Sequence, residues 1–155
     1  MTHARQTIRE GAAALLKVSP STYSSVQESR VPSSRQIWPY LLVFADAEVS
    51  DLLTEDIPGI LSRSMQLVIV GMLRMPGNGD TQTIEDKMDA MTAELETKLS
   101  FSTLQAAVGA VKGMTLTGTT MEVVLTPEEA ISHAEVTQVW QVDYYTADGS
   151  PEALL

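Results

Sequence analysis

The sequence has no cysteine among its 155 residues, which excludes disulfide bonds, cysteine nucleophiles and thiolate metal ligands. Its apolar stretches without a charge, such as 36–45 and 64–73, span about ten residues, whereas a membrane-spanning helix needs about 20. Charges at Arg5, Arg9 and Glu10 precede any such stretch, so we expect no secretory signal peptide. These absences predict a soluble protein kept in a reducing or redox-neutral compartment.

Basic residues are also scarce: 10 stand against 20 acidic ones, and the formal net charge is −10. Such a chain is repelled by phosphate backbones, so we expect no specific binding of nucleic acid. The charges are unevenly distributed. Residues 1–35 hold five basic and two acidic residues, net +3, and residues 36–155 hold five and eighteen, net −13. Either both parts are solvated surface, or opposite charges join neighbouring subunits head to tail through Arg5, Arg9, Arg30 and Arg35.

Hydrophobic periodicity predicts two main helices. In the first, Thr2–Lys17, the apolar residues Ile8, Ala12, Leu15 and Leu16 lie at helical spacing. The second, Asp86–Leu99, continues a stripe with steps of four, three, four and four residues, formed by Ile84, Met88, Met91, Leu95 and Leu99.

Apolar runs and alternation predict five strands, at Val26–Val31, Trp38–Ala45, Ser64–Met75, Lys112–Thr126 and Ala134–Thr146. The order α-β-β-β-α-β-β predicts an α+β fold, with two main helices packed on a mixed or antiparallel sheet. Residues 1–146 are predicted to form one domain, and residues 147–155 a flexible C-terminal tail.

An acidic segment separates the second and third predicted strands. Asp46–Leu61 contains five acidic residues and no basic residue before its closing Pro58-Gly59. We expect a loop of about sixteen residues, longer than most connections, and long ordered loops tend to carry function. Its carboxylates either bind a divalent cation or are simply solvated, and the spacing is not that of an EF-hand.

No catalytic constellation is evident. The two histidines, His3 and His133, are 130 residues apart and neither lies in a metal-binding motif. The sequence has no Gly-x-Ser-x-Gly motif. The glycine-rich segment Gly77–Asp80 lacks the lysine of a phosphate-binding loop and is predicted to be a strand-to-helix turn. We therefore expect a protein that acts through its surfaces, without catalytic residues, cofactor or bound metal.

The ordered pieces of the chain resemble the tail terminator, or tail completion, proteins of long non-contractile-tailed phages, the group that includes the lambda tail protein U. The resemblance covers residues 3–146 and rests on element order and pattern. Its pieces are the opening helix "THARQTIREGAAALLK", the strand "WPYLLVFADAE" running into the acidic loop, "SRSMQLVIVGML", the helix "TIEDKMDAMTAELETKL" and the closing strand "VTQVWQVDYYT".

The resemblance implies a structural protein and not an enzyme. Such proteins form a hexameric ring that caps the tail tube, ends its polymerisation and provides the surface for joining the head. The implied partners are other copies of the chain, the tail tube protein and head–tail connector proteins, while DNA passes through the channel without specific binding and no membrane is involved. The implied location is the head-proximal end of the tail in the virion, and the host cytoplasm during assembly.

We assign the contact with the tube or a neighbouring subunit to the acidic segment and its apolar residues. The assigned residues are Asp46, Glu48, Asp51, Leu52, Leu53, Glu55, Asp56 and Ile57.

Three alternatives stay open. A head–tail connector or neck protein would occupy the next ring along the same axis. A small metal-dependent hydrolase would be built on Asp46, Glu48, Asp51 and His133. A small-molecule-binding module would use the α+β sheet as its scaffold.

Overall fold

A computed structural model describes residues 2–35, 37–52, 59–75, 81–124 and 132–155. This part of the chain contains three helices and six strands, which confirms the predicted α+β class. In chain order they are α1 (Ala4–Leu16), β1 (Ser25–Gln27), β2 (Tyr40–Leu52), β3 (Ile60–Arg74), α2 (Thr81–Lys98), α3 (Phe101–Val108), β4 (Val111–Val124), β5 (His133–Ala147) and β6 (Ser150–Leu154).

The strands form one mixed sheet in the order β1-β2-β3-β5-β4. β1 runs parallel to β2, and the other neighbours are antiparallel. All 15 residues of β3 pair with β5 without a shift of register. β6 pairs with the last residues of β5, beyond the point where β4 begins.

All three helices pack on one face of this sheet. The predicted stripe of α2 is confirmed, since Ile84, Met88, Met91, Leu95 and Leu99 are all buried in the main core. Alternate residues of β3 and β5 meet these helices because successive side chains of a strand point to opposite faces. We call this helix-covered side of the sheet the inner face.

A smaller apolar cluster lies on the opposite, outer face. Tyr40, Leu42 and Met72 are buried there, and Trp38 and Phe44 pack against them together with Val70. This cluster explains why the run Trp38–Ala45 is apolar at successive positions: its side chains alternate between two buried environments.

Two predicted segments differ in extent. The strand predicted at Val26–Val31 is only three residues long, Ser25–Gln27. The loop predicted at Asp46–Leu61 is wrong at both ends. Asp46–Leu52 belongs to β2, which pairs with β3, and Ile60 and Leu61 are the first residues of β3. The acidic composition of a segment predicts a loop from local sequence alone. Whether the segment forms a strand depends on its pairing with residues of β3, which follow later in the chain.

Two elements were not predicted. The eight-residue helix α3 begins at a capping box formed by Ser100 and Thr103 and ends at Gly109, which has a φ of 88°. The predicted flexible tail is instead strand β6 over Ser150–Leu154. It forms because Asp148-Gly149 makes a two-residue turn, with Gly149 at a φ of 75°, that returns the chain onto β5.

No helix in the described ranges is long and apolar enough to cross a bilayer.

Close packing between α2 and β3 generates a test of the core. A Cβ atom added at Gly71 would overlap the Met91 sulfur and would lie 3.4 Å from the Leu41 Cδ2. We expect Gly71→Ala to lower the free energy of unfolding by about 1–3 kcal/mol, because overpacking forces the buried neighbours to shift.

Urea denaturation of the purified protein measures this change. Gly118→Ala in β4 is the matched control, because a Cβ atom there meets nothing within 4 Å. Equal unfolding midpoints for the two variants would contradict the described packing of α2 on β3.

Candidate functional site

The described members of the assigned contact residues, Asp46, Glu48, Asp51 and Leu52, lie on β2, which forms a long antiparallel pair with β3. β2 contains a bulge between Ala45 and Glu48, where two residues oppose the single residue Gln66. The bulge changes which side chains face inward. As a result Glu48 lies on the inner face, opposite Met65.

Glu48 is the centre of a polar cluster on the inner face, most of which is shielded from solvent. Its carboxylate accepts a hydrogen bond from the Arg63 Nη1 at 2.6 Å and another from the Tyr144 hydroxyl at 2.5 Å. The Arg63 Nε donates to the Thr146 hydroxyl at 2.8 Å, and the Arg63 Nη1 also reaches the Ser50 hydroxyl at 3.2 Å. Tyr144 and Thr146 are fully buried, and the side chains of Arg63 and Glu48 are only 14% and 12% exposed. We call these five residues the Glu48 cluster.

The cluster favours the ionised form of Glu48. Burial by itself raises the pKa of this carboxyl, but the hydrogen bonds from Tyr144 and Arg63, with the positive charges of Arg63 and Arg5, outweigh that effect and lower the pKa. Burial raises the pKa of the Tyr144 hydroxyl, and its hydrogen bond to Glu48 raises it further. Tyr144 therefore remains a neutral donor to a charged acceptor.

The remaining acidic-segment residues divide into three groups. Asp46 is exposed and pairs with Arg30 at 2.6 Å. Asp51 and Leu52 are exposed near the end of β2, and Leu52 is 64% exposed. The others, Leu53, Glu55, Asp56 and Ile57, lie outside the described residues.

The four arginines assigned to subunit contacts are placed differently from one another. Arg30 is held within its own chain, since it also donates to the Ala45 carbonyl at 2.7 Å and lies over the Phe44 ring. Arg9 approaches Glu28 at 3.9 Å. Arg5, at the start of α1, lies close enough to Glu48 to lower the pKa of that carboxyl. Arg35 is exposed and has no ion pair within the described part of the chain.

Sequence reasoning missed the partners of Glu48. Arg63 is the one basic residue between Arg35 and Arg74. If the inward alternation of Leu67, Ile69 and Leu73 is extended backwards, position 63 falls on the inner face. A single cation at an inward strand position is a signal for a buried counterion.

The residues of the hydrolase alternative do not form one site. Met65, the partner of Glu48, pairs with Val142, nine residues along β5 from His133, which corresponds to roughly 30 Å at the rise of a strand. His133 Nε2 lies 2.8 Å from Glu135 instead. Among the described residues no group of three or more histidines and carboxylates could hold a metal ion.

No protein-family model matches the sequence, and no curated protein matches it.

The Glu48 cluster predicts a pH-dependent contribution to stability. We expect Glu48→Gln to destabilise the fold by about 3 kcal/mol at neutral pH, because it leaves Arg63 buried without a counterion. The pKa of Glu48 is lower in the folded chain than its ordinary value of 4.5. This stabilisation is therefore present above pH 4.5 and is lost as the pH falls through the folded-state pKa.

Urea denaturation between about pH 7 and about pH 3 measures the free energy of unfolding of the wild type and of Glu48→Gln. The difference between the two free energies should become smaller as the pH falls. Asp51→Asn is the matched control, because Asp51 is exposed and has no polar partner among the described residues. A Glu48→Gln variant as stable as this control, or a difference independent of pH, would argue against the cluster.

Proposed function

We propose that the chain is the subunit of a phage tail terminator: a structural protein that closes into a ring, caps the tail tube, ends its polymerisation and offers a surface to the head. The resemblance of the ordered pieces over residues 3–146 motivates the proposal. The observation that carries it is the exposed end of β2, which pairs with β3 and is anchored at the Glu48 cluster. We call this end of the β2–β3 pair the arm.

The exposed end of the arm has the character of a contact surface. Val49 and Leu52 are 62% and 64% exposed, and the strand alternation places them on opposite faces of the sheet. Exposed apolar residues on both faces of a paired strand favour a partner that covers them. Asp51 lies between them, so this surface is apolar with an acidic component.

The two edges of the sheet differ, which suits a ring. β4 pairs only with β5 in the described part of the chain and is exposed over residues 117–122. On the other side β1 covers only residues 40–42 of β2, and Arg30 bonds to the β2 carbonyls of Ala45 and Asp46 beyond it. A closed ring needs two different surfaces that meet head to tail, and unlike edges supply such a pair.

The charge of the chain is compatible with a channel for DNA. With a net charge of −10, a ring of these subunits repels phosphate groups along most of its surface. Duplex DNA is then guided through the opening without being held by it.

Electron microscopy of concentrated protein, with light scattering on the same sample, tests ring formation directly. We expect six-fold rings with an open centre, or rings that form when isolated tail tubes are added. A protein that stays monomeric and does not bind tubes would overturn the proposal.

Charge reversal tests the arm. We expect the triple variant Asp51→Lys, Glu55→Lys, Asp56→Lys to fold normally but to lose tube binding, because it replaces the acidic component of the contact surface with positive charge. The matched control is Glu85→Lys, Asp86→Lys, Asp89→Lys, which makes the same change in net charge on the exposed side of α2.

Tail length in phage lysates separates the proposed role from that of a neck protein. Loss of a terminator should give tails of uncontrolled length, whereas loss of a neck protein gives tails of normal length without heads. Tails of normal length, joined to heads, from the triple variant would exclude the arm from the function.

A further inference from the structure

A cavity of about 640 Å³ lies at the end of the sheet remote from the arm. It is formed between the end of β3, the middle of α2 and the segment that precedes β2. Most of its wall is apolar and comes from Trp38, Pro39, Leu73 and Ala90. Its volume is within the range of small-molecule sites, and apolar walls with a few polar groups are typical of them.

The polar part of the wall is positively charged. Arg74 and Lys87 both line the cavity, and none of the described residues that line it is acidic. Neither cation forms a hydrogen bond or an ion pair within the described ranges. Acidic residues outnumber basic ones two to one in this chain, so most cations would be expected to lie near a carboxylate. Two cations without such a partner in the described ranges, at one cavity, therefore stand out.

Glu94, which contacts the cavity wall through Thr22, already has partners of its own. Glu94 accepts hydrogen bonds from the backbone N–H and the hydroxyl of Thr22, another lining residue. Lys98 pairs with the same carboxylate at 2.8 Å. Glu94 therefore leaves the positive charge of Arg74 and Lys87 available to an entering group.

Trp38 provides a flat surface whose position is held by its neighbours. Its ring lies edge-on to Tyr40, with 5.0 Å between centroids and 69° between planes, and its centroid is 6.2 Å from that of His133. A side chain fixed in this way loses little conformational freedom when a ligand packs against it.

We propose that this cavity binds an organic anion with an aromatic body. The body packs against Trp38 and Leu73, and a carboxylate or phosphate head group binds Arg74 and Lys87. Guanidinium and ammonium groups form charge-assisted hydrogen bonds with both kinds of head group. The site uses neither the arm nor the Glu48 cluster.

Nuclear magnetic resonance titration tests the site with 3-phenylpropionate and phenyl phosphate as probes. The chain has two tryptophans, so the spectrum has two indole N–H signals. We expect the Trp38 signal to move. The Trp140 signal should stay, because that indole is buried and donates to Gln138 at 3.2 Å.

The neutral amide 3-phenylpropionamide and the charge variants separate charge from apolar contact. We expect the amide, Arg74→Gln and Lys87→Gln each to weaken binding by about tenfold, the size of a lost charge-assisted hydrogen bond. Lys112→Gln is the matched control, since it removes an exposed cation about ten residues further along β5, roughly 35 Å away.

The outcomes decide both the site and the head group. Tighter binding of phenyl phosphate assigns a phosphate ligand, and tighter binding of 3-phenylpropionate assigns a carboxylate. No movement of the Trp38 signal with either probe, or equal affinity for the neutral amide, would overturn the proposal. None of these results depends on whether the protein forms rings.

Discussion

The ion pair between Glu48 and Arg63 is the interaction on which the extended half of the sheet depends. The 15 residues of β3 span about 50 Å at the rise of a strand, whereas the 18 residues of α2 span about 27 Å. α2 alone therefore cannot cover the whole inner face. At the end of the sheet near Glu48, where Arg5 of α1 lies close by, each buried polar group needs a hydrogen-bond partner. The Glu48 cluster meets that need with one carboxylate, one guanidinium and three hydroxyl groups.

Sequence patterns predicted the parts of the fold whose signal is repeated within one element. The stripe of α2 recurs over several turns and the alternation of β5 over several residue pairs, and the structure contains both elements. The helix α3 and the strand β6 are too short for such repetition. The site was predicted less well. The acidic neighbours of Glu48 indicate a surface contact, but its role follows from a bulge and from a hydrogen bond to a residue as distant in the chain as Tyr144, which composition does not reveal.

The net charges of the two parts of the sequence are also a poor guide to its surface. Lys17 and Arg9 share Glu28, and Arg30 is bound to Asp46, so much of the positive N-terminal part is neutralised within the chain. The cations that stay unpaired in the described ranges include Arg74 and Lys87, which the sequence places in the negative part. Which cations stay available therefore depends on the carboxylates that folding brings next to them, and not on the net charge of the sequence segment.

The unbroken register between β3 and β5 has a mechanical consequence. Antiparallel hydrogen bonds run perpendicular to the strands, so a force directed along the strands loads them in shear, all together, and not one after another. Fifteen residues of β3 share such a load with β5, without a bulge to concentrate it. Register shifts occur in the other antiparallel pairs, which are β2 with β3, β4 with β5, and β5 with β6. The centre of the sheet is therefore its stiff member, and the strands on either side are the ones that can bend.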